Sequence, residues 1–268
     1  MQTRKMTFLH PDEVVAEIKR VPLVYLPIGL LEWHANHLPL GTDALIAEKT
    51  AELAAEQTGG LIWPTLYCGT ERERPPQMLR DLGFEDTDQY IVGMDFPANI
   101  LPSGYAAEET LAIMLRDQLN MMIRMGFCMV VIITGHAATN HTDVLTRLAM
   151  EFSATRPVRV TVVLPYVPEE DGRLLVGHAS RIETAAMLAV APECVRMDHL
   201  PPISEPLKNV DWAIVDYATF MGEPMPDYTV RPDDDPRLAT AEDGWDTLHR
   251  GAAAIAAAAI AAYLDKQV

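Results

Sequence analysis

The sequence predicts a layered α/β domain on a mostly parallel sheet, and three observations carry that expectation. Four runs, LVYLPIG (Leu23–Gly29), LIWPTLYCG (Leu61–Gly69), MVVIITG (Met129–Gly135) and VRVTVVLPY (Val158–Tyr166), are apolar almost throughout rather than at alternate positions. Strands with that pattern are covered on both faces, as in a parallel sheet flanked by helices. Longer segments with helical patterning separate the runs, the alternation that βαβ crossovers require. The chain is also long enough, at 268 residues with 49% hydrophobic composition, to bury a core without covalent staples.

In chain order, a helix over Pro11–Arg20 precedes the first strand. The next helix, Asp43–Gln57, starts at an aspartate, a common N-cap residue. After the second strand come a helix over Ala106–Met125 and the third strand, which ends in Gly135, a residue that permits a tight strand-to-loop turn. Helices follow at Thr142–Thr155 and, beyond the fourth strand, at Ile182–Val190. There Ser180 to Glu183 fits the S-x-x-E capping box, in which the glutamate bonds back to the N-cap amide. The alanine-rich segment Ala239–Leu264 closes the chain as a helix. Pro201–Arg237, rich in proline and aspartate, is a long loop of the kind that covers a site or makes subunit contacts. Neither an internal repeat nor a shift in composition divides the chain, so residues 1–268 are expected to form one domain.

The bulk numbers exclude several functions. A net charge of −17 is the opposite of the basic footprint of a phosphate-backbone binder. Three widely spaced cysteines without a C-x-x-C pair indicate neither a disulfide framework nor a zinc ribbon. The first residues, MQTRKMTFLHPDE, lack the apolar core of a signal peptide, and the longest apolar run, Gly251–Leu264, is short for a membrane span. The expectation is a soluble, cytoplasmic protein with a small-molecule substrate and neither nucleic acid nor membrane as partner.

Chemistry concentrates at strand ends. LEWHANHLPLGTDA (Leu31–Ala44) directly follows the first strand and holds Glu32, His34, His37 and Asp43. In open α/β sheets ligands bind beyond the carboxyl ends of strands. Glu32 and His34 are two apart, so an extended backbone points them the same way. Carboxylates with imidazoles form a ligand set suited to Zn²⁺, Mn²⁺ or Fe²⁺. His37 breaks the two-residue alternation and is expected in a supporting hydrogen bond. The turn TGHAATNH (Thr134–His141) ends another strand and offers His136; if the two strands are parallel, the turns can converge. His141 is expected to face solvent or to pack locally. A third cluster, GHASRIETAAML (Gly177–Leu188), contributes His178 at a helix entrance, where a general acid or base can reach a substrate. Glu183 remains open between a cap and a ligand on sequence grounds.

These motifs resemble the creatininase (creatinine amidohydrolase) superfamily. Pro27–Asp43, PIGLLEWHANHLPLGTD, is similar to its signature P-x-G-x-x-E-x-H-G-x-H-L-P-L-x-T-D. TGHAATN resembles N-G-H-G-G-N, HASRIETA resembles H-A-G-x-x-E-T-S, and DDPRLATAEDG (Asp234–Gly244) echoes a late family pattern. The resemblance implies a three-layer αβα sandwich with two divalent metal ions per chain, often assembled as a hexamer, so a homo-oligomer is expected. It implies that Glu32 and His136 bind one ion, His34 the other, and Asp43 bridges both, with His178 as the catalytic residue. Creatininase itself takes its last carboxylate ligand two residues after the second-motif histidine, where this chain has Ala138. The resemblance then assigns that place to Glu183.

The reaction implied is opening of a small polar cyclic substrate by attack of metal-bound hydroxide on a carbonyl, with a cyclic amide C–N bond as the family default. Ala35, Thr134, Ala137, Ala138 and Ser180 depart from the family pattern. The segment Gly93–Thr110 keeps only Phe96-Pro97, which with Gly69–Pro76 suggests a different substrate wall and makes creatinine doubtful. The alternatives are hydrolytic C–C cleavage of a cyclic 1,3-diketone such as an oxidised inositol (3-dehydro-scyllo-inosose), formamide hydrolysis, and a non-enzymatic scaffold of the same fold. Glu71, Glu73, Glu108 and Glu109 beside Arg72 and Arg74 could read a polyol, although surface helices and turns give the same composition.

Overall fold

In the computed structural model the described residues are 3–81, 83–85, 90–91, 93–95, 99–168, 177–210, 213–215, 230 and 233–265. The strands are β1 (Leu23–Gly29), β2 (Leu61–Ile62), β3 (Leu66–Tyr67), β4 (Met129–Thr134), β5 (Arg159–Val163), β6 (Lys208–Val210) and β7 (Ala213–Val215). The helices are α1 (Pro11–Arg20), α2 (Thr42–Thr58), α3 (Pro76–Asp81), α4 (Glu108–Met125), α5 (Thr139–Thr155), α6 (Arg181–Val190) and α7 (Ala241–Asp265). The main sheet runs β2-β1-β4-β5, with β3 also paired to β1, and every pairing in it is parallel.

The near-continuous apolar strands are explained by what covers them. Along β1, Leu23 and Tyr25 join one core cluster while Val24, Leu26 and Ile28 join a second on the opposite face. The first cluster takes buried residues of α2, α6 and α7, and the second takes those of α4 and α5. The result is helix, sheet, helix, the three-layer arrangement expected. On α7, Leu248, Ala252, Ile255 and Ala259 recur at helical spacing and form its buried stripe.

Several boundaries differ from the sequence expectation. The run Leu61–Gly69 is two short strands rather than one, because Pro64 interrupts it and has no N–H to give to the ladder. Both pieces pair with β1, at Val24–Tyr25 and at Ile28–Gly29. The fourth strand stops at Val163, ahead of Pro165. Helix α5 begins three residues earlier than the expected Thr142. Helix α3 and the antiparallel pair β6–β7, which lies within the expected Pro201–Arg237 loop, were not anticipated. The rest of that loop lies largely outside the described residues, as does Phe96-Pro97.

One feature of the topology fixes where a site can lie. From β1 the chain moves to β2 on one side, and β4 then pairs on the other side of β1. The carboxyl ends of β1 and β4 therefore flank the point where strand order reverses, the position at which open α/β sheets bind ligands.

Candidate metal centre

Beyond Gly29 the chain continues without regular structure, and Leu30, Glu32, Trp33 and His34 are buried while Leu31 is exposed. Glu32 and His34 thus turn inward together, as their two-residue spacing predicts. Ala35 then adopts a left-handed conformation (φ 56°), and the Glu32 amide donates to Leu40 O at 2.9 Å, closing the loop before α2. Strain of this kind in a non-glycine residue persists where the surroundings impose it, often at sites. The N-cap of α2 is Gly41, so Asp43 is the second helical residue rather than the cap suggested by sequence. Its carboxylate instead points at the histidines, from the positive end of the helix dipole.

Close backbone approach makes this placement possible. A Cβ on Gly135 would stand 2.1 Å from Asp43 O, and one on Gly29 would stand 2.5 Å from Ala44 N. Gly135 has no positive φ. Its role is therefore to let the first turn of α2 rest on the ends of β1 and β4, rather than to permit a tight turn.

The expected residues come together at those strand ends. Asp43 Oδ1 lies 3.1 Å from His34 Nε2, and Asp43 Oδ2 lies 3.4 Å from His136 Nδ1. His136 Nδ1 is 3.2 Å from Glu32 Oε2, and His34 Nε2 is 3.8 Å from Glu183 Oε2. These contacts define two groups capable of holding an ion, Glu32–Asp43–His136 and His34–Asp43–Glu183, and Asp43 belongs to both. A third such group is Glu32–His34–His178, with His178 Nδ1 3.8 Å from Glu32 Oε2.

Backbone carbonyls set the tautomer of each histidine. His34 Nδ1 donates to Glu32 O at 3.1 Å, His136 Nε2 donates to Thr70 O at 3.1 Å, and His178 Nε2 donates to Trp33 O. The other nitrogen of each ring is left facing the carboxylates, the arrangement outer-shell partners impose on metal-binding imidazoles. Without a cation, only protonated histidines can balance these carboxylates. Burial opposes charge on His34, yet Asp43, Glu183 and Glu32 raise its pKa to about 10, and His136 is driven well above its ordinary value against burial by Glu32 and Asp43. Burial with a like charge at His34 lowers His178 to about 4, and burial pushes Glu183 up to about 8. Among the described residues, the ion-pair partners of Glu32, Asp43 and Glu183 are all histidines. Asp43 Oδ2 is buried without a satisfied hydrogen bond. A buried, cation-poor set of carboxylates and oriented imidazoles with an orphaned oxygen fits divalent ions.

The site opens into a cavity of about 390 Å³ bordered by Glu71, Arg72, Met94, Tyr166 and the start of α5. The N-cap of α5 is Ala138, whose side chain cannot satisfy the first-turn amides, so the positive end of the helix borders the cavity uncapped.

Two sequence readings are revised and one is resolved. The capping box at Ser180 does not form: Ser180 Oγ has no partner, and Glu183 Oε2 instead accepts from Ala179 N at 2.6 Å. Of the two places expected for His141, solvent or local packing, the structure shows the second. The residue is fully buried, its Nε2 donates to Thr134 Oγ1 at 3.0 Å, and its ring meets that of His136 edge-on at 5.0 Å. Of the acidic residues considered for a polyol, Glu71 alone borders this cavity, with Arg72; Glu73, Glu108 and Glu109 line a neighbouring cleft. His37 does make a supporting hydrogen bond, to Thr184 Oγ1 at 2.8 Å. Sequence reasoning overlooked Tyr105, whose hydroxyl donates to Glu32 Oε1 and accepts from Met94 N at 2.9 Å. Burial, with Glu32 beside it, holds this phenol well above its ordinary pKa. No sequence pattern around Tyr105 signals that contact.

Known proteins share the family and the fold. Residues 8–259 match the family described as Creatininase: Creatinine amidohydrolase. A creatinine amidohydrolase of Pseudomonas putida is 22% identical over 207 residues, covering 70% of this chain and 73% of that protein. Among solved structures, a mutant creatininase described as the Zn–Zn type superposes with a TM-score of 0.67 at 20% identity, covering 96% of this chain and 97% of its own. One described as creatininase Mn gives 0.65 at 21%, with the same coverage.

Proposed function

The chain belongs to the creatininase family of metal-dependent amidohydrolases, and from that premise we propose that it opens a small polar cyclic substrate by hydrolysis at a carbonyl. The observation that carries the proposal is the sharing of Asp43 between two metal-capable groups. Glu32 and His136 would hold one divalent ion, His34 and Glu183 the other, and Asp43 would bridge them. Ions bound there would polarise a substrate carbonyl and lower the pKa of a water so that it can attack near neutral pH.

The chain's own residues supply the rest. His178 keeps its Nε2 proton on Trp33 O, so Nδ1 is the atom able to carry a proton to the leaving group at the cavity. The uncapped first turn of α5 offers backbone N–H groups to developing negative charge. Ala137 and Ala138 border the cavity without adding a carboxylate, which leaves Glu183 to complete the second group.

A cyclic amide is the first reading of the substrate. Cleavage of a C–C bond in a cyclic 1,3-diketone is the second, favoured by a cavity wall in which Glu71, Arg72 and Met94 come from segments that depart from the family pattern. The test is a product screen of the Zn²⁺- or Mn²⁺-loaded protein against creatinine, other cyclic amides and inositol-derived diketones. Ring-opened product carrying a new amine supports the first reading, and a ring-opened acid without an amine supports the second. Absence of turnover on every cyclic substrate, in protein shown to hold its ions, would count against a ring-opening hydrolase.

A further inference from the structure

The segment that departs most from the family pattern grips the strongest part of the first motif. Gly104 N donates to Leu31 O at 2.6 Å, Tyr105 OH donates to Glu32 Oε1, and Trp33 N donates to Ser103 Oγ at 2.9 Å. Three consecutive residues of the β1 loop are therefore each held by one of three consecutive residues of the other segment. Ser103 is fixed in turn by Asp95, a buried carboxylate that accepts both its amide, at 3.0 Å, and its hydroxyl, at 2.5 Å.

We infer that Tyr105 is a positioning residue for the metal centre: its phenol, fixed by the Met94 amide, occupies Glu32 Oε1 and so reserves Oε2 for a divalent ion. The inference rests on reading Glu32 as a ligand. A free carboxylate has two equivalent oxygens and can rotate between them or offer both. Here the hydrogen bond removes that equivalence. Oε2 is the oxygen that lies 3.2 Å from His136 Nδ1, 3.8 Å from His178 Nδ1 and 4.0 Å from His34 Nε2, whereas Oε1 meets the phenol. Residue 93 is glycine where the phenol and Glu71 both crowd it: a Cβ there would stand 2.1 Å from Glu71 Cγ and 2.6 Å from the Tyr105 oxygen. Removing the hydroxyl leaves the Met94 amide and Glu32 Oε1 both short of a partner and frees the carboxylate to turn. The outer-shell contact that orients the carboxylate thus comes from a part of the chain outside every motif that marks the ligands.

The test titrates metal-free, full-length Tyr105→Phe and wild type with Co²⁺, reading affinity and the visible absorption of the bound ion. The expected result is a loss of about 10- to 100-fold in affinity, the usual effect of removing such a partner, with a shifted Co²⁺ band. The metal-free melting temperature should fall as well, because two buried groups lose a partner, so the positioning role is read from the affinity and the Co²⁺ band of the folded variant. In a Glu32→Gln background the same substitution should have almost no effect on affinity, because it acts through the carboxylate. Gly93→Ala, which keeps the phenol but crowds both its oxygen and Glu71 Cγ, stands in if Tyr105→Phe does not fold, and it should reproduce the loss in the wild-type background but not in Glu32→Gln. Equal affinity and an unchanged spectrum in the variants, beside a wild type that binds Co²⁺, would overturn the positioning role alone. A wild type that takes up no Co²⁺ would overturn the metal reading and this inference with it.

Discussion

Two sets of buried carboxylates sit at opposite ends of the sheet and are treated in opposite ways. Near the amino ends of β1 and β2, Glu17 is buried and fully matched. Arg4 and Arg20 reach it at 2.8 and 2.5 Å, and the Gly60 amide donates to it at 2.9 Å. Despite burial, these partners lower its pKa below the ordinary value. At the carboxyl ends of β1 and β4, Glu32, Asp43 and Glu183 are equally buried, but among the described residues their only ion-pair partners are imidazoles. A carboxylate that serves the fold is neutralised by residues of the chain itself. The second set is short of positive charge in the manner of a place prepared for cations from outside.

Substitutions at the two ends should therefore fail in different currencies. The largest effect is expected from Asp43→Ala, which removes the carboxylate common to both groups. Metal analysis of the purified variant should fall from about two ions per chain to none, with hydrolysis at background. Retention of both ions would break the contrast. Glu183→Gln comes next, with loss of one of the two ions. If Glu183 were only a cap for the Ala179 amide, the ion count would hold and the cost would be about 1 kcal/mol in a denaturant titration. Ser103→Ala should leave the ions in place but strand the Trp33 amide, whose carbonyl orients His178. That costs roughly 1–3 kcal/mol of stability and should lower kcat more than it changes KM.

The smallest effect on chemistry, and none on metal content, is expected of Glu17→Gln. Loss of charge-assisted hydrogen bonds there should destabilise by about 1.5–3 kcal/mol at pH 7. Because the folded pKa is lowered, the stabilisation is complete above the ordinary glutamate value of 4.5 and disappears as pH falls through the folded value. Denaturation curves of wild type and variant should thus converge in acid; a constant gap down to pH 3 would contradict the ion-pair account.

What the sequence made legible follows from how local each signal is. The two-sided burial of β1 and β4 was readable because it imprints every residue of a strand; β5 carries a similar apolar run but lies at the sheet edge, with Arg159 exposed and Thr161–Val163 half-buried. Glu32, His34 and Asp43 were readable because one loop and one helix start carry all three. Glu183 was ambiguous since S-x-x-E describes a cap as well as it describes a helix that aims a glutamate elsewhere, and only the orphaned Ser180 hydroxyl separates the two. His141 was left between solvent and local packing because a position in a first helical turn says nothing about which layer that turn packs against. Tyr105 lies 73 residues from Glu32 in a segment without periodicity, so nothing short of the folded chain could join them. The split at Pro64 was legible in principle, since proline has no amide to pair.

The contact between Gly135 and the Asp43 backbone has a consequence for how the centre could change over evolution or by design. Where side chains set the distance between two ligand groups, that distance drifts as the side chains are replaced. Here it is set by main chain resting on main chain, with no room for a single methyl group. The spacing is thereby insulated from most of the sequence: walls, rims and substrate contacts can be exchanged freely while the span across Asp43 stays put. The same insulation concentrates fragility, because one added carbon at either glycine would act as a shim under the helix and shift the whole centre at once.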